Sequence, residues 1–300
     1  MSHVPVLLNK VIDLLDPKPG EFMIDGTLDG GGYAQAILGR LKGKGKFLGI
    51  DWDWTMIQKV HEKISAYEKA GVKISLINGN FADVPEFLAQ EVLGKADGLV
   101  LDLGFSSEQL ENSGRGFSFT KNEPLIMTYS DELTPVKAIL KKLSAEELTS
   151  IIASLSQERF ASRIAEAIKN QERKKAIETT GELTKIITHA VPRNYERGRL
   201  NPATRTFLAL RIYANRELEN LEKTLKNLNS ILKSGGRAVI VSFHSLEDRL
   251  VKNYFRELSK VGELKILTKK PIMAAREEIA VNPKARSAKL RAAVLLQNYE

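Results

Sequence analysis

The chain has 300 residues and no cysteine, and its 45 lysines and arginines exceed its 37 acidic residues to give a formal net charge of +8. The length predicts two domains, or one large domain with an insertion. The lack of thiols excludes disulfides, cysteine-ligated metals and cysteine nucleophiles. With four histidines and no His-x-x-x-His pair we expect no metal site. No signal peptide or membrane-length apolar run is evident, which predicts a cytoplasmic protein without membrane association.

The first hundred residues alternate between short apolar strands and amphipathic helices. Strands are predicted at 22–25, 46–50, 72–77 and 97–102, and helices at 33–41, 54–69 and 83–93. Strands separated by helices of this length are typical of βαβ units with a parallel sheet.

After residue 103 a loop rich in serine, glycine and asparagine leads into a helical region. Its predicted helices cover 145–155, 158–174, 180–190 and 204–232. A strand at 236–243, a helix at 246–259 and strands at 263–267 and 292–299 follow. We predict an α/β fold: a Rossmann-like, doubly wound sheet built from residues 1–109 and 201–300, interrupted by a mainly helical insertion at 110–200.

The most informative local pattern is a strand, a glycine-rich loop and a helix. Asp25 ends the first strand, and four of the seven residues from 26 to 32 are glycines. Glycine permits a tight turn and a close approach of the backbone to a ligand. Asp51 ends the second strand about 20 residues later, the separation at which an acid binds the two hydroxyls of a ribose. This order predicts a site for an adenosine-containing cofactor.

The glycine spacing and the charge of this loop distinguish between two adenosine-containing cofactors, NAD and S-adenosylmethionine. Gly26, Gly30, Gly31 and Gly32 do not fit the G-x-G-x-x-G spacing of NAD-binding loops. A carboxylate at Asp25 would also repel a pyrophosphate. S-adenosylmethionine carries a sulfonium and an ammonium and no phosphate, so acids at strand ends favour it.

Further candidate residues follow other predicted strands. Phe81 follows the third strand, Asp102 and Ser106 the fourth, and His244 the fifth. Ligands of doubly wound sheets bind at the carboxyl ends of the strands. An acceptor at Asp102, Ser106 or a nearby carbonyl could localise the lone pair of an exocyclic amine and aim it at a methyl group. The structural alternatives are a loop cap at Asp102, a core position for Phe81 and a helix start at His244.

The amino-acid composition limits which methyl acceptor and which partner the protein can have. Without a thiol the chain cannot attack a pyrimidine ring carbon through a thiolate, which disfavours methylation at carbon-5, so an exocyclic amine or a hydroxyl is the expected methyl acceptor. Residues 193–216 contain six arginines and residues 265–291 contain eight lysines and arginines, with one and two acids respectively. Clustered cations favour a polyanionic partner, and the alternative is a solvated basic surface.

Taken together, several motifs resemble the bacterial 16S ribosomal RNA cytosine-N4 methyltransferases, the family of small-subunit methyltransferase H or MraW. The matching segments run in order over nearly the whole chain, at residues 3–8, 24–27, 30–32, 102–110, 115–119, 158–161, 201–207, 242–249 and 282–287.

The resemblance implies a class I S-adenosylmethionine-dependent methyltransferase domain at 1–109 and 201–300, with a substrate-recognition insertion at 110–200. It implies methyl transfer to N4 of a cytidine in the decoding region of 16S rRNA, a step of rRNA processing and ribosome biogenesis. The implied partner is the small ribosomal subunit, and a homodimer stays open. Asp102 and Ser106 are the catalytic candidates. The cofactor-binding candidates are Asp25 from the strand argument and, by position in the family, Gly31, Gly32, Tyr33, Asp51, Phe81, Asp102 and Gln109.

Some positions depart from the family pattern. Tyr33 and Asn201 each replace a histidine, and Ile126 and Thr128 replace an aspartate and an arginine. The alternative function is therefore a ribosome-binding or assembly factor that keeps the cofactor fold with weakened catalysis.

Overall fold

A computed structural model describes residues 5–104 and 113–296. Within them one sheet contains seven strands: β1 (Phe22–Asp25), β2 (Lys46–Asp51), β3 (Lys73–Asn78), β4 (Ala96–Asp102), β5 (Leu232–Ser242), β6 (Leu264–Ile266) and β7 (Lys289–Leu295). Their order across the sheet is β3-β2-β1-β4-β5-β7-β6. Strands β1 to β5 pair in parallel, and β7 is antiparallel to both β5 and β6.

The described α-helices are α1 (Leu8–Leu15), α2 (Gly32–Leu41), α3 (Trp54–Lys69), α4 (Val84–Gln90), α5 (Val136–Lys142), α6 (Ala145–Ser156), α7 (Ala161–Glu172), α8 (Thr180–Ala190), α9 (Ala203–Ala214), α10 (Glu217–Lys226), α11 (Leu228–Ile231), α12 (Ser245–Lys260) and α13 (Arg276–Val281). None of these helices combines the length and hydrophobicity needed to cross a membrane.

Neighbouring residues of the central strands point to opposite faces of the sheet, as the period of two requires. Met23 and Phe47 pack into a core with residues of α1, α2 and α3. Ile24 and Leu48, each one residue further along, pack into a second core with residues of α4, α10, α11 and α12. Because apolar helices cover both faces, the strands are apolar throughout. The predicted doubly wound α/β sheet is confirmed.

The chain forms two compact units, one of Met1–Gly104 with Leu218–Glu300 and the other of Phe105–Glu217. The first unit contains the whole sheet. The second unit is helical and includes α5 to α9, with Ile152 and Leu183 in its core. It thus includes α9, which the sequence analysis assigned to the sheet-containing domain.

The helix predicted over 204–232 was wrong as a single element, because the chain forms α9, α10 and α11 there. Asn215 ends α9, and its Nδ2 donates to the carbonyl oxygen of Met127 at 2.8 Å. The next residue, Arg216, has a φ of 51° and so leaves the helical conformation. The apolar periodicity continues across this break, which is why the sequence pattern missed it.

Candidate functional site

The candidate site lies in the first unit, where the strand order changes direction. Strands β2 and β3 lie on one side of β1, whereas β4 and β5 lie on the other. In open α/β sheets ligands bind at this switch point, beyond the carboxyl ends of the strands. Asp25 and Asp102 end the two strands that flank the switch, and Asp51 ends the adjacent β2. All three carboxylates are buried.

The glycine loop is hydrogen-bonded to the strands on either side of β1. Gly26 N donates to the carbonyl of Val100 on β4, and Leu28 N donates to the carbonyl of Ile50 on β2, both at 3.0 Å. The hydroxyl of Thr27 accepts a hydrogen bond from Asp102 N at 2.7 Å. The loop is therefore held against the ends of three strands.

Two of the glycines meet steric requirements of their own. Gly31 has a φ of 79° and precedes the first turn of α2, which no side chain caps. A Cβ on Gly32 would lie 2.0 Å from Cγ of Pro5. Pro5 therefore packs directly against the start of α2. The amides of the first turn of this helix have no side-chain cap, and such amides can bind a ligand. Contact of Gly31 and Gly32 with a cofactor stays a prediction.

Asp51 is fixed by backbone donors on both of its oxygens. Oδ2 accepts from Asp29 N at 2.9 Å, and Oδ1 accepts from Asp53 N at 2.8 Å. Burial raises the pKa of Asp51 to about 6, while these amide hydrogen bonds oppose the rise. A carboxylate held in one orientation keeps its remaining lone pairs available for a pair of hydroxyls.

Asp25 carries a buried acceptor without a partner. Its Oδ1 accepts from Thr27 N at 3.2 Å, but its Oδ2 has no hydrogen-bond partner among the described residues. Burial raises the pKa of Asp25 well above its usual range, and the charges of Asp102 and Asp51 raise it further. These mutual effects show that the three strand-end carboxylates are brought together.

Asp102 has the same character. Its Oδ1 is buried and has no hydrogen-bond partner among the described residues. Burial and the charge of Glu247 raise the pKa of Asp102 to about 8, while the positive charge of Lys284 opposes the rise. An unsatisfied buried acceptor costs about 1–3 kcal/mol, so two of them in one site point to a ligand that supplies donors or positive charge.

Tyr33 and Phe81 border this cluster. The buried hydroxyl of Tyr33 donates to the carbonyl of Val6, and burial raises its pKa well above its usual range, so it is neutral. Phe81 begins a short 3₁₀ turn after β3 and is half-buried. Its Cβ is 3.1 Å from the place that a Cβ on Gly26 would occupy. The structure therefore places Phe81 against the glycine loop.

His244 fits the structural alternative. It is the N-cap of α12, where its Nδ1 accepts from Glu247 N at 3.4 Å. Glu247 in turn accepts from Phe243 N at 2.8 Å and lies 3.1 Å from Nε2 of His244. Both side chains are thus used to begin the helix.

Two charged residues near Asp102 were not predicted. Glu247 is buried and Lys284 acts electrostatically on Asp102 and Asp29. The spacing of Glu247 three residues after a helix start was an available signal, since it is that of a capping box. Ser106 and Gln109 lie outside the described residues, and their roles stay predictions.

Comparison with known proteins decides the family. The family model described as the MraW methylase family matches residues 1–295. This chain belongs to the MraW methylase family. It is 39% identical to ribosomal RNA small subunit methyltransferase H of Syntrophobacter fumaroxidans, covering 97% of this chain and 96% of the relative. It is 40% identical to the protein of that name from Clostridioides difficile, covering 97% and 98%.

The fold agrees with this membership. A crystal structure of a Clostridium thermocellum protein described as an rRNA-methylase superimposes with a TM-score of 0.50 at 10% identity, covering 98% of this chain and 99% of the other. The fold is that of class I methyltransferases. The cofactor of this MraW-family chain is S-adenosylmethionine. The site fits it, because the buried oxygens of Asp25 and Asp102 that have no partner among the described residues suit its ammonium and sulfonium charges.

Proposed function

We propose that this MraW-family methylase transfers a methyl group from S-adenosylmethionine to the N4 amine of a cytidine in the decoding region of 16S rRNA. The names of the relatives support small-subunit rRNA as the substrate class. The observation that carries the proposal is the buried Oδ1 of Asp102 at the switch point of the sheet, an acceptor with no partner in the part of the chain that the structure describes. The partner is then the small ribosomal subunit, and the expected location is the cytoplasm.

The cofactor is held by residues around the glycine loop. Asp51, oriented by two backbone amides, binds the ribose hydroxyls, and Phe81 lies against the adenine. Asp25 and the first turn of α2 at Gly31 take the methionine portion. When bound, S-adenosylmethionine supplies an electrophilic methyl group on a positively charged sulfur. Gln109 completes the cofactor contacts in this proposal.

Asp102 has two tasks in the reaction. The lone pair of an exocyclic amine is delocalised into the ring, and an acceptor that binds its N–H localises this pair on nitrogen. The pKa of Asp102 is raised to about 8 in the protein without ligands, and the positive charge of the bound cofactor would lower it, so the carboxylate would be ionised when it meets the amine. On accepting the methyl group that the bound cofactor would supply, with its sulfur leaving as a neutral thioether, the amine would gain positive charge. Asp102 then takes one proton from it and passes that proton to water.

Ser106 is proposed as the second acceptor for the amine, and the second unit as the part that recognises the RNA. No covalent intermediate is needed for nitrogen, which agrees with the absence of cysteine from the sequence.

The alternative function, a ribosome-binding factor with weakened catalysis, depends on the loop that contains Ile126 and Thr128. Thr128 is buried, and its carbonyl and hydroxyl oxygens accept from the Arg115 guanidinium at 2.7 Å and 3.1 Å. Arg115 lies in a segment that matches the family, so this contact does not replace the arginine lost at position 128. The labelling experiment distinguishes the active enzyme from the weakened one.

The test is mass spectrometry of nucleosides from small subunits that lack this methylation, after incubation with the protein and S-adenosylmethionine labelled at the methyl group. We expect labelled N4-methylcytidine, and none with Asp102→Asn. If the wild-type protein binds both cofactor and subunit without labelling cytidine, the ribosome-binding alternative replaces the proposal.

A further inference from the structure

The second unit carries a cationic cavity of its own, with a volume of about 410 Å³. It lies where the start of α7 meets the segment from Pro192 to Arg199. Its lining is rich in arginine and aromatic side chains and includes Arg159, Phe160, Asn194, Tyr195, Arg197 and Arg199. Nothing in the proposed chemistry at Asp102 uses these residues.

A buried carboxylate holds the two sides of the cavity together. Glu158 Oε1 accepts from Phe160 N at 2.8 Å, and its Oε2 accepts from the Tyr195 hydroxyl at 2.5 Å. Burial and this carboxylate raise the pKa of Tyr195 to about 12, so its hydroxyl keeps its proton. The floor of the cavity is therefore a fixed structure.

The backbone that presents the arginines is strained. Glu196 and Arg197 have φ values of 45° and 52°, the left-handed region that residues with side chains rarely occupy. Arg205 holds Glu196 through an ion pair of 2.9 Å. Strain of this kind persists where surrounding contacts enforce it, and it is common at functional sites. Here it leaves Arg197 and Arg199 exposed at the cavity.

The charge of the cavity is not balanced. Glu196, the acid in the lining, pairs with Arg159 and Arg205. Within the residues that the structure describes, no carboxylate forms an ion pair with the exposed Arg163, Arg193, Arg197 or Arg199. The 12-residue helix α7 also begins at this cavity without a side-chain cap, which adds the positive end of a helix dipole.

An aromatic ring lies within this cationic surface. Phe160 is half-buried, and the guanidinium carbons of Arg159 and Arg163 are 5.8 Å and 5.9 Å from its ring centroid. Arginine forks match phosphate oxygens, and a partly exposed aromatic ring suits an unpaired base. A small free anion would use only the first of these features.

We propose that this cavity binds consecutive phosphodiesters of a single-stranded segment of the RNA substrate that does not include the methylated nucleotide. The identity of the polymer as RNA rests on the proposed function. Arg197 and Arg199 each contact a phosphate, and Arg159 and Phe160 form the opposite wall.

The experiment measures binding of a fluorescent 12-nucleotide RNA by anisotropy over a range of salt concentrations, with wild type and the double variant Arg197→Gln/Arg199→Gln. Each phosphate contact on a single strand contributes about 0.7 to the slope of log K against log salt, so two lost contacts reduce the slope by about 1.4. Because this contribution vanishes near 1 M salt, we expect about 25-fold weaker binding at 0.1 M.

The matched control is Lys141→Gln/Lys142→Gln, which removes the same charge from exposed residues of the same unit. These lysines lie near the other end of α7 from the cavity. Lys169, which is about 13 Å along that helix from Phe160, donates to the Lys141 carbonyl. The control should keep the wild-type slope. Circular dichroism of both double variants checks that each is folded.

Equal slopes for wild type and the arginine variant, or equal losses in the arginine and lysine variants, would overturn the inference. So would displacement of the RNA by inorganic phosphate at constant ionic strength, which would indicate a small-anion site, or by polyglutamate of equal charge, which would indicate an acidic peptide site. The readouts are separable. If the wild-type protein labels cytidine and the arginine variant binds RNA as wild type does, only the inference is refuted. If the wild-type protein does not label cytidine and the arginine variant binds RNA more weakly, only the proposed function is refuted.

Discussion

Replacing Asp102 with asparagine should stabilise the protein in the absence of ligands while abolishing methyl transfer. Burial and Glu247 raise the pKa of Asp102 from 3.8 to about 8. The unfolded chain loses this proton near pH 3.8, whereas the folded protein keeps it until about pH 8. Between these values folding takes up a proton, so the stability contributed by this group falls as the pH rises.

The size of the effect follows from the pKa difference. Each unit is worth 1.36 kcal/mol, so the wild-type protein loses about 4 kcal/mol at pH 7 and about 1 kcal/mol at pH 4.5 relative to a neutral side chain. Asparagine resembles the protonated acid in shape and is always neutral. We therefore expect Asp102→Asn to raise the free energy of unfolding by about these amounts.

Urea unfolding at pH 7 and pH 4.5 measures both values. The control is Asp13→Asn, an exposed carboxylate of α1 in the same unit, which should change stability by less than about 0.5 kcal/mol. A gain that is equal at the two pH values, or a loss of stability at pH 7, would refute the burial argument. Retained methyl transfer in Asp102→Asn would refute the catalytic role instead.

Two further predictions concern the cofactor loop. Asp51→Ala removes two ribose contacts and should weaken binding of S-adenosylmethionine about 30- to 150-fold, as measured by calorimetry. The control is Asp53→Ala, which removes the N-cap of α3 and should cost about 1 kcal/mol of stability with little change in cofactor affinity. Equal affinity losses in the two variants would contradict the ribose assignment. Gly32→Ala should destabilise the protein by about 1–3 kcal/mol because its Cβ would overlap Pro5, while Gly39→Ala in the same helix, where the space is open, should stabilise by up to about 1 kcal/mol in thermal unfolding. If both alanine variants are equally stable, the close contact with Pro5 is not a constraint.

Local patterns in the sequence were sufficient to locate most of the sheet. The run 22–25 was predicted at the bounds that β1 has, because strands buried on both faces are continuously apolar and end where polar residues begin. Asp25, Asp51 and Asp102 were found for the same reason. A carboxylate at the end of such a run lies at the carboxyl end of its strand, and in a parallel sheet the carboxyl ends of all strands lie on the same side.

Features that depend on distant contacts were not predictable from local pattern. The break after α9 depends on Asn215, which binds the backbone of Met127 and Tyr129 more than eighty residues earlier in the chain. Lys284 acts on Asp102 across a gap in sequence that is about twice as long. No periodicity or spacing within a short window contains this information.

The same distinction explains why the site is costly to the protein that carries it. A sequence selected for stability alone would replace Asp25 and Asp102 with apolar residues, because burial disfavours their ionised forms and one oxygen of each has no hydrogen-bond partner among the described residues. Asp51 accepts hydrogen bonds from two backbone amides. In Asp25 and in Asp102, by contrast, one carboxyl oxygen has no donor among the described residues. The free energy lost there is recovered only when a ligand brings positive charge, so folding stability and cofactor affinity are linked through these two carboxylates. A site built in this way selects against anionic nucleotides and favours a cationic cofactor, because only a positively charged ligand offsets the cost of ionising the buried acids.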